Sequence, residues 1–241
     1  MTESQAEKVI VALDVDTREK ALELVNILPS ARKFKIGLRL FTAEGPGLIR
    51  EISGMGKQIF LDLKLHDIPN TVAGAVKAAV GLGADMITLH TFGGQEMLAR
   101  AAKEAAEESE KQNVKQPVLL GVTVLTSLTE SDLRKMNIRE TPLDMVLTLA
   151  GLAQKSGMDG IVCSPKEISE VRKHTDSGFK IVTPGIRPSW ASAHDQKRIM
   201  TPAEAVRLGS DYLVVGRPVI KASSPEKAFN RILDELKSKR P

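Results

Sequence analysis

Short apolar runs alternate with longer amphipathic segments along the chain. The apolar runs are VIVALDV (9–15), KFKIGL (33–38), QIFLDLKL (58–65), DMITLH (85–90), VLLGVTVL (118–125), GIVC (160–163), KIVTP (180–184) and YLVVG (212–216). Most are near-continuous in Val, Ile and Leu, which predicts parallel strands covered by helices. Four of the intervening helical patterns open alike: TPLD at 141, SPKE at 164, TPAE at 201 and SPEK at 224. Ser or Thr can cap the helix there, and Pro fits its first position. Glu167 and Glu204 complete capping-box spacing, and Gly157 and Gly209 stand where helices should stop. Eight strands alternating with helices predict an α/β fold, a single (β/α)₈ TIM barrel over residues 1–241. No linker-like composition divides the chain. A doubly wound open sheet is the alternative, but no Gly-x-Gly-x-x-Gly follows the first strand.

In such a barrel the carboxyl ends of the strands face the active site, and a period of two selects the inward side chains. Strand 1 then presents Ile10, Ala12 and Asp14. Strand 2 presents Lys33, Lys35 and Gly37, and strand 3 presents Phe60, Asp62 and Lys64. Strand 4 ends at His90, strand 5 at Thr126 and Ser127, strand 7 at Pro184, and strand 8 at Gly216 and Arg217. Singly, each has a bland reading: Asp14 as a turn cap, Lys35 as a solvated charge, His90 as a hydrogen-bonded core residue. The third strand resists one. It carries Asp62 and Lys64, with Asp67 three residues on, and a buried charge pair often gives no net stability. Charges grouped this way point to chemistry.

The second half of the chain reads as a phosphate end. TPGIRP follows strand 7 and VGRP ends strand 8. Loops after these strands often hold phosphate in this fold, through backbone N–H groups and close-approaching glycines. Arg217 adds a bidentate cation. Residues 185–200 form a long connection before the helix at 201, as a lid would.

Composition narrows the alternatives. Net charge is +4, with one Trp, one Tyr and six Phe. Without a basic stripe carrying stacking aromatics, nucleic acid is not the expected partner, and the positive charge suits a phosphorylated small substrate. No apolar run approaches ~18 residues, so no membrane span is expected. The first residues lack a secretory-leader pattern, and the single cysteine, Cys163, fits a reducing cytoplasm.

Asp62-x-Lys64-x-x-Asp67-Ile68-Pro69-x-Thr71 resembles the signature of the orotidine 5′-phosphate decarboxylase family, in its bacterial branch. ALDV (12–15), Lys35, TPGIRP (183–188), DQKRIMTP (195–202) and VVGRP (214–218) follow in the expected order. One departure is SWASAH (189–194), which puts Trp190 where similar sequences tend to have glycine. The resemblance implies a homodimer of barrels, no cofactor and no metal, converting orotidine 5′-phosphate to UMP with loss of CO₂. It implies that Asp14, Lys35 and Thr126 hold the ribose or base and that Ser127 reads the pyrimidine edge. Ile68 and Pro184 would complete the substrate pocket. Arg187, Gln196, Gly216 and Arg217 would hold phosphate, Gln196 reaching from the lid. Asp67 and Thr71 would enter the partner's site.

That reading explains the third strand. Loss of CO₂ from C6 leaves a carbanion without a good electron sink. An ammonium in a dry site can stabilise it and then protonate it. Burial disfavours a lone ammonium at Lys64, whereas Asp62 and Asp67 beside it, with Lys35 alternating, would keep it charged. Two rivals remain. A related Mg²⁺-dependent sugar-phosphate decarboxylase or synthase shares the Asp-x-Lys-x-x-Asp core, but it places a metal-binding carboxylate near the end of strand 2, where this chain has Lys35. A non-catalytic nucleotide-binding barrel is the other, since fold alone does not exclude it.

Overall fold

The computed structural model describes residues 5–190 and 200–237. Eight parallel strands close into a barrel: β1 Val9–Ala12, β2 Lys33–Gly37, β3 Gln58–Leu65, β4 Met86–His90, β5 Val118–Val122, β6 Gly160–Val162, β7 Lys180–Thr183 and β8 Tyr212–Val215. Each pairs with the next, and β8 pairs back onto β1. All eight predicted strands form, each connected to the next through helix.

The period of two sorts side chains into two cores. Ile10, Ala12, Phe60, Met86, Leu120, Val182 and Val214 fill the barrel interior. Val9, Val11, Phe34, Ile36, Ile59, Leu61 and their equivalents face outward, against the helices. Burying each large side chain stabilises by about 1.5–3 kcal/mol, which offsets the entropy lost in closing so many non-local pairings. The interior layer stops below the charged positions of β2 and β3, so the barrel is apolar in its middle and polar at its carboxyl end.

A repeated device locks the strands. Gly83-Ala84-Asp85, Gly157-Met158-Asp159 and Gly209-Ser210-Asp211 each precede an even-numbered strand. The glycines take positive φ after a helix. The aspartates accept backbone N–H bonds from Ile59, Leu119 and Ile181, each at 2.8 Å, near the start of the preceding odd strand. Burial raises the Asp85 and Asp159 carboxyls, and the backbone bond works against that rise.

The capping predictions divide. Thr141 and Thr201 cap helices Pro142–Lys155 and Pro202–Arg207, and Thr201 with Glu204 forms a full capping box. The helix Pro225–Lys237 begins at the expected Pro. At SPKE, Glu167 does accept the Ser164 N–H at 2.7 Å. The helix, however, is Ile168–His174, starting after Glu167. The Glu167 N–H bonds to the Ser164 carbonyl, so the capping pair closes a separate turn.

Candidate active site

At the carboxyl end of β1 to β3, four side chains alternate in charge. Lys35 Nζ lies 3.3 Å from Asp14 Oδ1 and 3.6 Å from Asp62 Oδ2. Lys64 Nζ lies 2.9 Å from Asp62 Oδ1. Asp62 and Lys35 are nearly buried, at 14% and 12% side-chain exposure, while Lys64 is a third exposed and Asp14 about half. All four line one cavity of about 230 Å³, with Gly37, Leu38 and Arg39 on its wall. A β-carbon at Gly37 would sit 3.0 Å from the Lys35 ammonium, so a larger residue there would push on that side chain's tip.

The backbone of β3 is irregular at Lys64. Pairing with β4 slips between Leu61 and Leu65, and Lys64 takes a left-handed φ of 53°. For a side chain larger than glycine this conformation costs about 1–3 kcal/mol and persists only where the surroundings hold it. The buried Thr88 hydroxyl on β4 lies at the bulge. It accepts the Lys64 N–H at 2.9 Å and donates to Asp62 Oδ1 at 3.0 Å. Sequence reading passed over Thr88, although the period from Met86 to His90 puts it on the inward face.

Beyond β3 the chain turns outward. Asp67, Ile68 and Thr71 are exposed, Ile68 at 67%. Asp67 makes no ion pair within its own chain among the described residues, and its carboxylate accepts the N–H of Ile68 at 2.6 Å. No ion pair joins Asp67 to Lys64 of the same chain among the described residues. Pro69 starts the helix Pro69–Gly81, whose first turn carries Thr71 and no acidic residue. At the end of β4, His90 stacks on His66 with ring centroids 5.4 Å apart. Burial lowers the His90 imidazole, and His66 and Lys64 push the same way.

The described residues expected to hold phosphate stand beside β7 and β8. Pro184 and the half-buried Arg187 follow β7, and Gly185 takes a φ of 78°. The Arg187 N–H bonds to the Met200 carbonyl at 3.1 Å, tying together the two ends of the long connection. Trp190 packs on the outer core beneath the Arg231 guanidinium, which lies 4.3 Å from its ring centre. Residues 191–199, and with them Gln196 and most of the expected lid, lie outside the described residues. Gly216 leads into Arg217, which is exposed and starts the helix Arg217–Ile220. A β-carbon at Gly216 would come within 3.3 Å of Asp14 Oδ2, so the β8 end presses closely on the charged array.

Thr126 and Ser127 correct one expectation. Strand β5 stops at Val122, and the chain then turns, with the Leu128 N–H bonding to the Leu125 carbonyl. Both residues are exposed on the loop and line a separate cavity of about 630 Å³ with Ser164, Lys166 and Glu167. The Thr123 hydroxyl donates to the Val162 carbonyl at 3.0 Å, so its polar group is spent inside the barrel wall.

Comparison with known proteins agrees with this geometry. Residues 7–232 match the model of the orotidine 5′-phosphate decarboxylase / HUMPS family. The chain is 48% identical over 232 residues to an orotidine 5′-phosphate decarboxylase of a Nostoc species, covering 95% of this chain and 97% of that one. It is 49% identical over 230 residues to the Vibrio cholerae enzyme of the same name, covering 95% and 98%. The crystal structure of orotidine 5′-phosphate decarboxylase from Lactobacillus acidophilus superposes with a TM-score of 0.86 at 38% identity, covering 96% of this chain and all of that one. A single (β/α)₈ barrel, an alternating charged array at its carboxyl end and near-complete coverage of these relatives lead to one assignment: the chain belongs to the orotidine 5′-phosphate decarboxylase / HUMPS family.

Proposed function

We propose that the chain catalyses cofactor-independent decarboxylation of orotidine 5′-phosphate to UMP, the last step of de novo pyrimidine synthesis. The observation that carries this reading is the Asp14–Lys35–Asp62–Lys64 array, held in one cavity with alternating charge. In the reaction the bond from C6 to the carboxylate breaks, CO₂ leaves, and the electron pair stays on C6. The Lys64 ammonium stabilises that pair and donates a proton to it, and the resulting amine is reprotonated from solvent. The carboxylates of Asp62 and, from the neighbouring subunit, Asp67 keep Lys64 charged, and Lys35 holds Asp62 from its other side. Asp14, Lys35 and Thr126 hold the ribose or base, Ser127 reads the pyrimidine edge, and Ile68 and Pro184 wall the pocket.

Arg187, Gln196, Gly216 and Arg217 take the phosphate. Its binding energy is released far from C6, where it serves to organise the charged array. Thr126 and Ser127 line a cavity of their own, so substrate would have to draw the 125–130 loop toward the array. The active form is a homodimer. Asp67 and Thr71 enter the neighbouring subunit's site; both are exposed, and Asp67 has no ion-pair partner among the described residues of its own chain. The barrel over 1–241 acts as one catalytic unit in the cytoplasm. No described helix is long and apolar enough to cross a membrane.

Lys35 counts against the Mg²⁺-dependent alternative, because it puts a cation beside Asp62 where that chemistry calls for a metal-binding carboxylate. The deciding experiment follows the absorbance of orotidine 5′-phosphate in EDTA. Turnover supports this reading. Turnover only of a sugar phosphate with added Mg²⁺ supports the metal enzyme. Silence under both conditions supports a non-catalytic barrel.

A further inference from the structure

We propose that Thr88 is a positioning residue that sets the reactive geometry of Lys64, an inference that rests on the decarboxylase reading above. The hydroxyl of Thr88 is fully buried and has both of its roles assigned. It accepts the Lys64 N–H at 2.9 Å and donates its proton to Asp62 Oδ1 at 3.0 Å. That same carboxylate oxygen receives the Lys64 ammonium at 2.9 Å. One side chain on β4 therefore holds the main chain of the proposed proton donor and the carboxylate that aims its tip.

The bulge makes this grip necessary. Register between β3 and β4 is lost between Leu61 and Leu65, and the Lys64 N–H bonds to a side chain of β4. Lys64 also sits at a φ of 53°, a conformation that a lysine leaves unless its surroundings hold it. Without the Thr88 oxygen, the Lys64 N–H would lose its partner at a part-buried position, and relaxation toward an ordinary strand conformation would turn the side chain away. Val, Ser and Ala divide the roles of Thr88: Val keeps the shape without the hydroxyl, Ser keeps the hydroxyl without the methyl, and Ala keeps neither.

The test measures kcat and KM for orotidine 5′-phosphate on full-length Thr88→Val, Thr88→Ser and Thr88→Ala, with thermal melting as a check on folding. Thr88→Val should lose kcat by roughly 10- to 100-fold with KM held within about threefold, the scale of a hydrogen bond to a charged group. Thr88→Ser should keep kcat within about threefold of wild type, a rescue that a purely space-filling role would not give. If Thr88→Val fails to fold, Ser and Ala carry the comparison, since both lack the methyl and differ only in the hydroxyl. Ser should then be faster by at least roughly tenfold. A Val kcat within threefold of wild type, a loss confined to KM, or Ser as slow as Ala would overturn the proposal. If wild-type protein itself does not turn over orotidine 5′-phosphate, the proposed activity is what fails. The positioning role is then read from a crystal structure of Thr88→Val or, if that variant does not fold, of Thr88→Ala. Departure of Lys64 from its left-handed φ supports the role, and an unmoved Lys64–Asp62 pair refutes it.

Discussion

Lys33 and Lys35 sit two residues apart on β2, both point into the barrel, and both are about nine-tenths buried, at 9% and 12% side-chain exposure. Their surroundings differ. At the amino end, Lys33 pairs with Glu7 from the short helix Gln5–Lys8, and the Tyr212 ring lies 5.7 Å from its ammonium. At the carboxyl end, Lys35 is shared between two carboxylates at 3.3 and 3.6 Å, and the alternation runs on through Asp62 to Lys64 beside an open cavity. A buried lysine is therefore not by itself a sign of catalysis. The lower one completes a closed pair. The upper one belongs to a chain of charges that ends at a strained lysine facing space for a ligand.

The strongest way to break this contrast is to remove the last cation of the upper chain. Lys64→Ala should fold normally and lose kcat by at least ~10³-fold, since both roles proposed for Lys64, proton donation and carbanion stabilisation, would go. Steady-state kinetics with circular dichroism check it. A well-folded variant retaining more than about a tenth of wild-type kcat would remove Lys64 from the mechanism.

A second test asks whether the upper array is complete within one chain. Asp67→Asn and Lys64→Ala should each be nearly inactive alone. In a shared site, one of the two sites of a heterodimer receives both damaged residues and the other receives neither. An equal, fully exchanged mixture should regain about a quarter of wild-type activity, from symmetry alone. If exchange is demonstrated and no activity returns, Asp67 acts within its own subunit.

Much of this was legible in the sequence, for physical reasons. Parallel strands buried on both faces need near-continuous apolar runs, so all eight could be read. The period of two then placed Lys35, Asp62 and Lys64 inward. The bulge at Lys64 left no trace, because LDLKL alternates as a regular strand would. Thr88 was passed over because a threonine within MITLH reads as a β-branched strand former. Thr126 and Ser127 were placed at a strand end because VTVL continues the apolar pattern past the last paired residue, Val122. The role proposed for Asp67 came from the family resemblance, since no single-chain pattern can show whether a residue serves a neighbour.

The phosphate end can be separated from the charged array by substrate choice. Arg217→Ala should lower kcat/KM for orotidine 5′-phosphate by roughly 10- to 100-fold, since the charge-assisted bonds proposed between Arg217 and phosphate would be lost. Unphosphorylated orotidine never made those bonds and should change little. Equal losses for both substrates would mean that Arg217 supports the barrel.

The smallest effect tests the lower lysine directly. Lys33→Met removes a charge from the closed end and leaves Glu7 without its cation. Because the Glu7 side chain is about a third exposed, water compensates part of that loss. The cost should be about 1–2 kcal/mol, below that of breaking a fully buried pair, and the melting temperature should fall by roughly 2–8 °C. Turnover should stay within about twofold of wild type, because nothing at the carboxyl end has moved. Pairing the change with Glu7→Gln should recover most of the stability, since the stranded carboxylate is then gone. Lys35→Met should do the reverse, leaving melting less affected and lowering kcat, because it uncouples Asp14 from Asp62 in the proposed catalytic array. Thermal melts and kcat on the same four proteins decide the matter. If Lys33→Met slows turnover as much as Lys35→Met while the fold survives, the barrel's two ends are electrostatically coupled, and the division between a structural and a working lysine fails.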